Sequence, residues 1–464
     1  MSGIIVNETS GSRLLKQVIK LSIPAILAEL TSVVMQYIDA AMVGSLGREA
    51  TAAIGLVSTT TWLIGGLCIS LSMGFSVQIA HLIGAGNEKE ARNVLRQSLL
   101  VALIFGCMLS LFSVSIHKNL PVWLGGNEKV IKSSSAYFLI FSCALPFEQL
   151  RMISSNILQC SGNMKTPSVL NILLCILDVI FNFLFIFPTR QIDIPLLNAE
   201  ITAYGAGMGV KGAALGTAAS EIVITVLMLY FLLFRSNILS LRKGGSWNLK
   251  KSCLKKALKI SLPAAFEHTA TCGAYVAATK IIAPLGNVSI AANSLAVTAE
   301  SFCYMPGYGI GSAATTLVGQ SLGAKRRDLA KKYALITITL GVVIMSVLAV
   351  VMYITAPFMF SILINEQTVR DLGANVLRIE AFAEPLYGAS IVCSGVLRGA
   401  GDTLFPSIIN LVSMWGVRIT LSIFLVSSLG LKGIWLAMCI ELCFRGVLFL
   451  IRTMRGKWLG KVLI

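Results

Sequence analysis

Residues 20–47 read KLSIPAILAELTSVVMQYIDAAMVGSLG, an apolar run that holds Glu29 and Asp39 well inside it and Pro24 near its start. About 20 apolar residues cross a bilayer, so the run is long enough to be a span. A carboxylate at mid-membrane depth costs roughly 2.5–3.5 kcal/mol on insertion scales, so an acid kept there reads as functional. The stretch has a twin. Residues 259–286 read KISLPAAFEHTATCGAYVAATKIIAPLG, with Lys259, Ser261 and Pro263 in the places of Lys20, Ser22 and Pro24 at a shift of 239 residues. Ala278 stands where Asp39 would recur, so the duplicated scaffold carries this carboxylate in one copy only.

The same shift pairs Gly47 with Gly286, Gly84 with Gly323, Pro146 with Pro385, Gly162 with Gly401, Pro167 with Pro406 and Asn171 with Asn410. Such a register along much of both halves marks an internal repeat. Apolar runs place twelve spans near residues 17–43, 50–80, 92–116, 133–160, 165–188, 211–235, 256–283, 290–320, 331–358, 372–397, 404–427 and 431–453. Six spans per half is an even number. Both halves then enter the membrane in the same direction, as parallel repeats about an axis along the membrane normal. The expected fold is therefore an all-α integral membrane protein of twelve transmembrane helices, in two parallel six-helix lobes around a central cleft. Residues 1–234 form the first lobe, 235–256 a basic cytoplasmic linker and 257–464 the second lobe.

Of 464 residues, 56% are hydrophobic and 13% charged, with a net charge of +17. The excess Lys and Arg lie in short segments between apolar runs, which excludes a basic nucleic-acid-binding domain. Their bias puts both termini in the cytoplasm of a multi-pass protein of the cell inner membrane. The first run lacks a cleavage-site pattern and holds two acids, so it reads as a retained span. The eleven cysteines lie almost all in apolar segments without CxxC spacing, as small buried hydrophobes.

Three strings, IDAAMVGSLG at 38–47, MPGYGIGSAATTLVGQSLGA at 305–324 and SGVLRGAGDT at 394–403, resemble the multidrug and toxic compound extrusion transporters, with weaker copies in IGAG at 83–86 and LQCSGNMKTP at 158–167. The resemblance covers nearly the whole chain. It implies two six-helix bundles and exchange of organic, commonly cationic, compounds for sodium ions or protons. It also implies that Asp39 is protonated or binds the coupling cation, together with Asp178 and Asn182 of span five and Thr217 of span six. The family commonly places Asn before Asp in span five. Here the order is reversed, but a spacing of four keeps both on one helix face. A sodium ion at Asp39, Asp178, Asn182 and Thr217 is one expectation and a proton the other, with no cofactor besides the coupling ion.

Ten acids fall inside the expected spans: Glu29, Asp39, Glu148, Asp178, Glu221, Glu267, Glu300, Glu380, Glu384 and Glu441. Some must pair with the embedded Arg151, Lys280, Arg378, Arg418 or Arg445, and the rest must line water or titrate. Glu441 and Arg445 sit one turn apart and read as a structural pair. Glu267 and Glu300, with Tyr304 and Met305, are the expected substrate or second cation site of the second half. One branch of the family also uses a span-ten acid, but that position is Tyr387 here, and Glu380 and Glu384 fall before Pro385 instead. Asp402 and Thr403 read as a helix cap. His81, His117 and His268 lack metal-ligand spacing.

The expected function is a cation-coupled exporter of small organic compounds, acting as a monomer in the lipid bilayer without nucleic acid. A lipid-linked sugar flippase of the same wider superfamily is the rival transporter. Such flippases carry a basic cavity, whereas the embedded acids here outnumber the embedded bases. A membrane enzyme would need a catalytic motif; HExxH does not occur, and GxSxG occurs only as GQSLG at 319–323, inside an expected span and the family-like string 305–324, so no enzyme is expected.

Overall fold

The computed structural model describes residues 11–194, 199–242, 244–364 and 366–460. The first half contains helices α1 (Gly11–Gly44), α2 (Arg48–Gly84), α3 (Glu88–Ile116), α4 (Glu128–Cys160), α5 (Lys165–Ile186) and α6 (Val210–Tyr230). The second contains α7 (Lys251–Ile282), α8 (Asn287–Gly323), α9 (Arg327–Leu363), the interrupted rod α10 (Gln367–Ala381) and α11 (Glu384–Gly399), α12 (Leu404–Leu411), α13 (Thr420–Leu429) and α14 (Leu431–Met454). A π-helical stretch, Val412–Ile419, joins α12 to α13. Each expected span lies on one of these helical rods. Among the described residues, nine helices are long and apolar enough to cross a membrane on their own. The rest, α7, α8 and the α10–α11 rod, carry more charged or small polar residues.

Side chains at helix starts take up free backbone donors, as expected of Asn caps: Asn87 accepts from the Glu90 amide at 3.2 Å and Asn127 from the Val130 amide at 3.1 Å. Asp402 and Thr403 do not act this way. Thr403 precedes α12 without a side-chain cap bond, because Asp402 reaches Arg452 of α14 instead, at 2.6 Å.

The all-α expectation misses one element. Between α5 and α6, β1 (Pro188–Ile194) and β2 (Ala199–Ala206) pair antiparallel, with Gln191 opposite Thr202 and Arg190 opposite Ala203. Arg190 stacks over Phe187, 4.4 Å from its centroid, tying the hairpin to the end of α5. The linker is also shorter than expected, because α7 begins at Lys251. What precedes it is fastened to α3: Arg92 donates to the Ile238 carbonyl at 3.0 Å, the Lys250 amide donates to Gln97 at 2.8 Å, and Lys250 pairs with Glu90 at 2.7 Å.

The leading ends of α1 and α7 each cross to the other half. Leu14, Val18 and Leu21 of α1 pack on Ala313, Leu317, Leu329 and Tyr333 of the second half. Cys253 and Ala257, the repeat counterparts of Leu14 and Val18, pack in the core of the first half with Val94 and Leu95. The ends of α2 and α8 cross by the same symmetry. A Cβ on Gly84 would lie 2.0 Å from the Gln320 carbonyl oxygen, and one on Gly323 would lie 2.0 Å from that of His81. Only glycine permits such an approach. His81 bonds the Gly399 carbonyl at 2.9 Å, and Gln320 donates to the Cys160 carbonyl at 2.9 Å, so polar bonds also cross between halves at this end. Leu71–Ile83 and Gly309–Gly323 are almost wholly buried, whereas 51–63 and 287–298 of the same two helices are mostly half-buried or exposed. The molecule is closed where α2 and α8 finish and looser where they begin.

Candidate functional site

In the first lobe, three helices bring their polar residues to one point. Asn182 donates through Nδ2 to Asp39 Oδ1 at 3.0 Å and to Asp178 Oδ2 at 3.0 Å. Ser220 donates to Asp178 Oδ1 at 3.3 Å, and Thr217 lies within hydrogen-bonding reach of the same carboxyl. Asp39 and Asp178 also reach each other. Asp178 and Asn182 are 1% and 2% exposed and Asp39 is half-buried, so water reaches the cluster only from the Asp39 side. Two carboxylates in contact repel, and such a cluster is stable with a proton shared between them or a cation beside them.

The backbone makes room for this arrangement. Gly216 sits where α6 crosses α5, and a Cβ there would lie 2.1 Å from Asn182 Oδ1. That oxygen is buried and accepts no hydrogen bond. A neighbouring ion pair is kept separate: Arg151 binds Glu221 and, at 3.4 Å, Asn171. Arg151 is thereby occupied away from Asp178, which leaves the Asp39–Asp178 pair without a basic partner among its hydrogen bonds.

All four first-lobe residues expected from the sequence, Asp39, Asp178, Asn182 and Thr217, therefore meet at one site. Ser220 and Gly216 complete it and were not anticipated. Their signal is faint: Ser220 is one turn after Thr217, and Gly216 is one of many glycines.

The second-lobe residues do not meet at one site. Glu267 is held by Arg398 at 3.0 Å, Ser407 at 3.0 Å and Asn410 at 2.5 Å. Glu300 lies elsewhere, beside Glu380 and Glu384, with an oxygen of each within 4.8 Å of the others. Tyr304 packs on Tyr387 and Tyr308, with centroids 5.7 and 6.0 Å away, and Met305 beside it is half-buried. Glu441 pairs with Arg445 at 3.1 Å, as its spacing implies. Across the interface between lobes, Tyr37 of α1 stacks on Phe302 of α8 at 5.5 Å, which puts aromatic surface near the Asp39 site.

The chain matches the family model MatE twice, over residues 24–184 and 263–424. The two matches begin at Pro24 and Pro263, which are counterparts in the internal repeat. The "Probable multidrug resistance protein NorM" of Thermotoga maritima is 26% identical over 456 residues, covering 96% of this chain and 93% of that protein. The human "Multidrug and toxin extrusion protein 1" is 23% identical, covering 96% of this chain and 76% of that protein. A structure described as the outward-facing conformation of a multidrug resistance MATE family transporter superposes with a TM-score of 0.87 at 21% identity, covering 98% of this chain and all of that one. The paired matches, the duplicated helical fold and relatives aligned along nearly the full chain lead to one assignment: this chain belongs to the MatE family of multidrug and toxic compound extrusion transporters.

Proposed function

We propose that the protein is a secondary active antiporter that exports organic cations, drugs or metabolites, in exchange for protons or sodium ions by alternating access. The observation that carries this reading is the Asp39–Asn182–Asp178 cluster, two carboxyls bridged by one amide in the first lobe, with Asp178 and Asn182 buried and Asp39 half-buried. A carboxyl pair that gains and loses one positive charge supports competition between the coupling ion and a cationic cargo. The contact between the two carboxyls suits a proton as it stands. Sodium, a hard cation that takes oxygen ligands, requires Asn182 to turn its Oδ1 from Gly216 toward the carboxylates.

With both termini in the cytoplasm of an inner-membrane protein, the closed end of α2 and α8 faces the cytoplasm, and this conformer is open outward. The lobes, 1–234 and 257–464, then rock about the 235–256 segment. Because that segment is fastened to α3 as far as Lys250, and Cys253 and Ala257 pack in the first-half core, the movement falls beyond the first turns of α7. The protein works as a monomer on this reading, since one chain holds the whole cluster and both lobes.

Exchanging the two span-five residues tests the shared site. Asp178→Asn alone is expected to abolish transport, and Asp178→Asn with Asn182→Asp to restore part of it, because residues one turn apart have Cβ atoms about 5–6 Å apart on one face. Transport in proteoliposomes, corrected for protein content, measures this. A double variant as inactive as the single one would separate the two positions.

A further inference from the structure

We propose that the second lobe holds one anionic phospholipid in a basic pocket where the end of α9, the start of α10 and the start of α14 meet, with its phosphate against Arg378 and Lys432 and an acyl chain along α9. Two adjoining cavities of about 500 and 300 Å³ lie there and share Asn375 and Arg378. Arg370 and Asp371 line the larger, and Lys432, Tyr353 and Phe382 line the smaller. Among the described residues, three bases and one acid therefore line this space, and the acid accepts from Gln367 at 2.9 Å. Arg378 gives its Nε to the Tyr353 carbonyl at 3.1 Å, and its guanidinium lies 5.3 Å from the centroid of the same ring. Both partners are neutral. Arg378 and Lys432 form no ion pair among the described residues, so the pocket keeps positive charge to offer.

The surroundings of these charges argue for a lipid over a dissolved anion. Ile354, Phe358 and Ile362 of α9 are 68%, 66% and 69% exposed, and the exposed Val347 and Val351 continue the series. Steps of three and four residues keep all five on one helix face. That stripe runs beside Tyr353, Pro357 and Ser361, which line the cavities. An apolar track leading to a cationic pocket matches the two ends of a phospholipid, and basic pockets between transmembrane helices bind such headgroups. Arg378 lies about 16 Å along α10 from Gln367, at 1.5 Å per residue, inside the expected span 372–397. A cation there is costly, and a phosphate beside it reduces the cost. Lys432 is the second residue of α14, whose positive dipole end adds to the attraction. The arginines belong to this lobe alone: at the shift of 239, Ile131 and Leu139 stand in the places of Arg370 and Arg378. Lys432 does have a counterpart, Lys211, in the strings GVKG at 209–212 and GLKG at 430–433 that open α6 and α14. With the termini in the cytoplasm, as proposed above, the pocket opens to the outer leaflet. The cytoplasmic bias of Lys and Arg does not account for bases on that side. Bound there, the lipid ties α9, α10 and α14 together beside the α10–α11 break, where Phe382 packs on Tyr353 with centroids 5.8 Å apart.

Native mass spectrometry of the full-length protein, delipidated in detergent and titrated with phosphatidylglycerol or phosphatidylethanolamine, counts the lipid held. The expected result is one phosphatidylglycerol per chain, bound about tenfold or more tightly than the zwitterionic lipid and not displaced by an equal concentration of inorganic phosphate. Each base near an anionic lipid contributes about fivefold, so Arg378→Gln with Lys432→Gln should weaken binding by about tenfold or more. Lys211→Gln should leave it unchanged. Melting without added lipid reports whether the variants are folded, and phosphatidylglycerol should then raise the midpoint of the wild type and of Lys211→Gln but not of the double variant. If the double variant does not fold, Lys432→Gln alone replaces it, at an exposed position, with about fivefold weakening expected. No preference for the anionic lipid, binding unchanged in the variants at 378 and 432, equal weakening in Lys211→Gln, or displacement by phosphate would each overturn the proposal.

Discussion

Asp39→Asn is expected to abolish ion-driven export while the protein still inserts and folds. Asn has nearly the same shape and can still accept from Asn182 Nδ2, the bond Asp39 makes at 3.0 Å. The structural loss is therefore about that of one hydrogen bond, roughly 0.5–1.5 kcal/mol. The functional loss is larger. With only Asp178 left to titrate, the cluster no longer exchanges the charge that α1 brings to it. Each pH unit across the membrane corresponds to about 1.4 kcal/mol per proton, or tenfold in cargo accumulation, and the variant forfeits that factor. Uptake into proteoliposomes under an imposed pH gradient measures it. Undiminished gradient-driven transport would move coupling to another acid, Glu267 or Glu300 being the first to examine.

Gly84→Val combined with Gly323→Val should prevent the lobes from closing where α2 and α8 finish. At both positions the new Cβ meets a backbone carbonyl at 2.0 Å, and a carbonyl within a packed helix cannot turn away as a side chain can. Overpacking of this kind costs about 1–3 kcal/mol per site. Two sites shift the equilibrium away from this conformer by about thirtyfold or more. The reciprocal symmetry makes the test specific, because Gly84 and Gly323 are repeat counterparts, as are His81 and Gln320. Spin labels at Glu88 and Asp328, after replacement of the exposed Cys107 and Cys143, report the separation of the two helix ends. The short-distance population should vanish and transport should fall with it. If both persist, the crossing does not gate access.

The twelve rods and the duplication were legible because hydropathy and the shift of 239 leave a mark on many residues at once. The pairing of Asp178 with Asn182 was legible for a local reason: spacing alone puts them on one face. Long-range choices were not. Asp402 looked like a cap from its neighbours, but Arg452 of a distant helix claims it. Glu267 and Glu300 both read as substrate or cation carboxylates of the second half, yet one faces Arg398 and the other Glu380 and Glu384. The glycine that admits Asn182, Gly216, cannot be told from others until the helix it faces is known. The hairpin formed by 188–194 and 199–206 lies between two expected spans, in a stretch to which hydropathy assigns no element.

In the proposed exchange an ion and a cargo compete at the Asp39–Asp178 cluster, and proton release on cargo binding measures that competition directly. Purified protein in a weakly buffered solution with a pH indicator is mixed with tetraphenylphosphonium, an organic cation with no proton of its own. The wild type should release close to one proton per cation bound, and Asp39→Asn should release none. A wild type that binds the cation without releasing protons, or an Asp39→Asn variant that releases as many, would contradict proton coupling through this cluster.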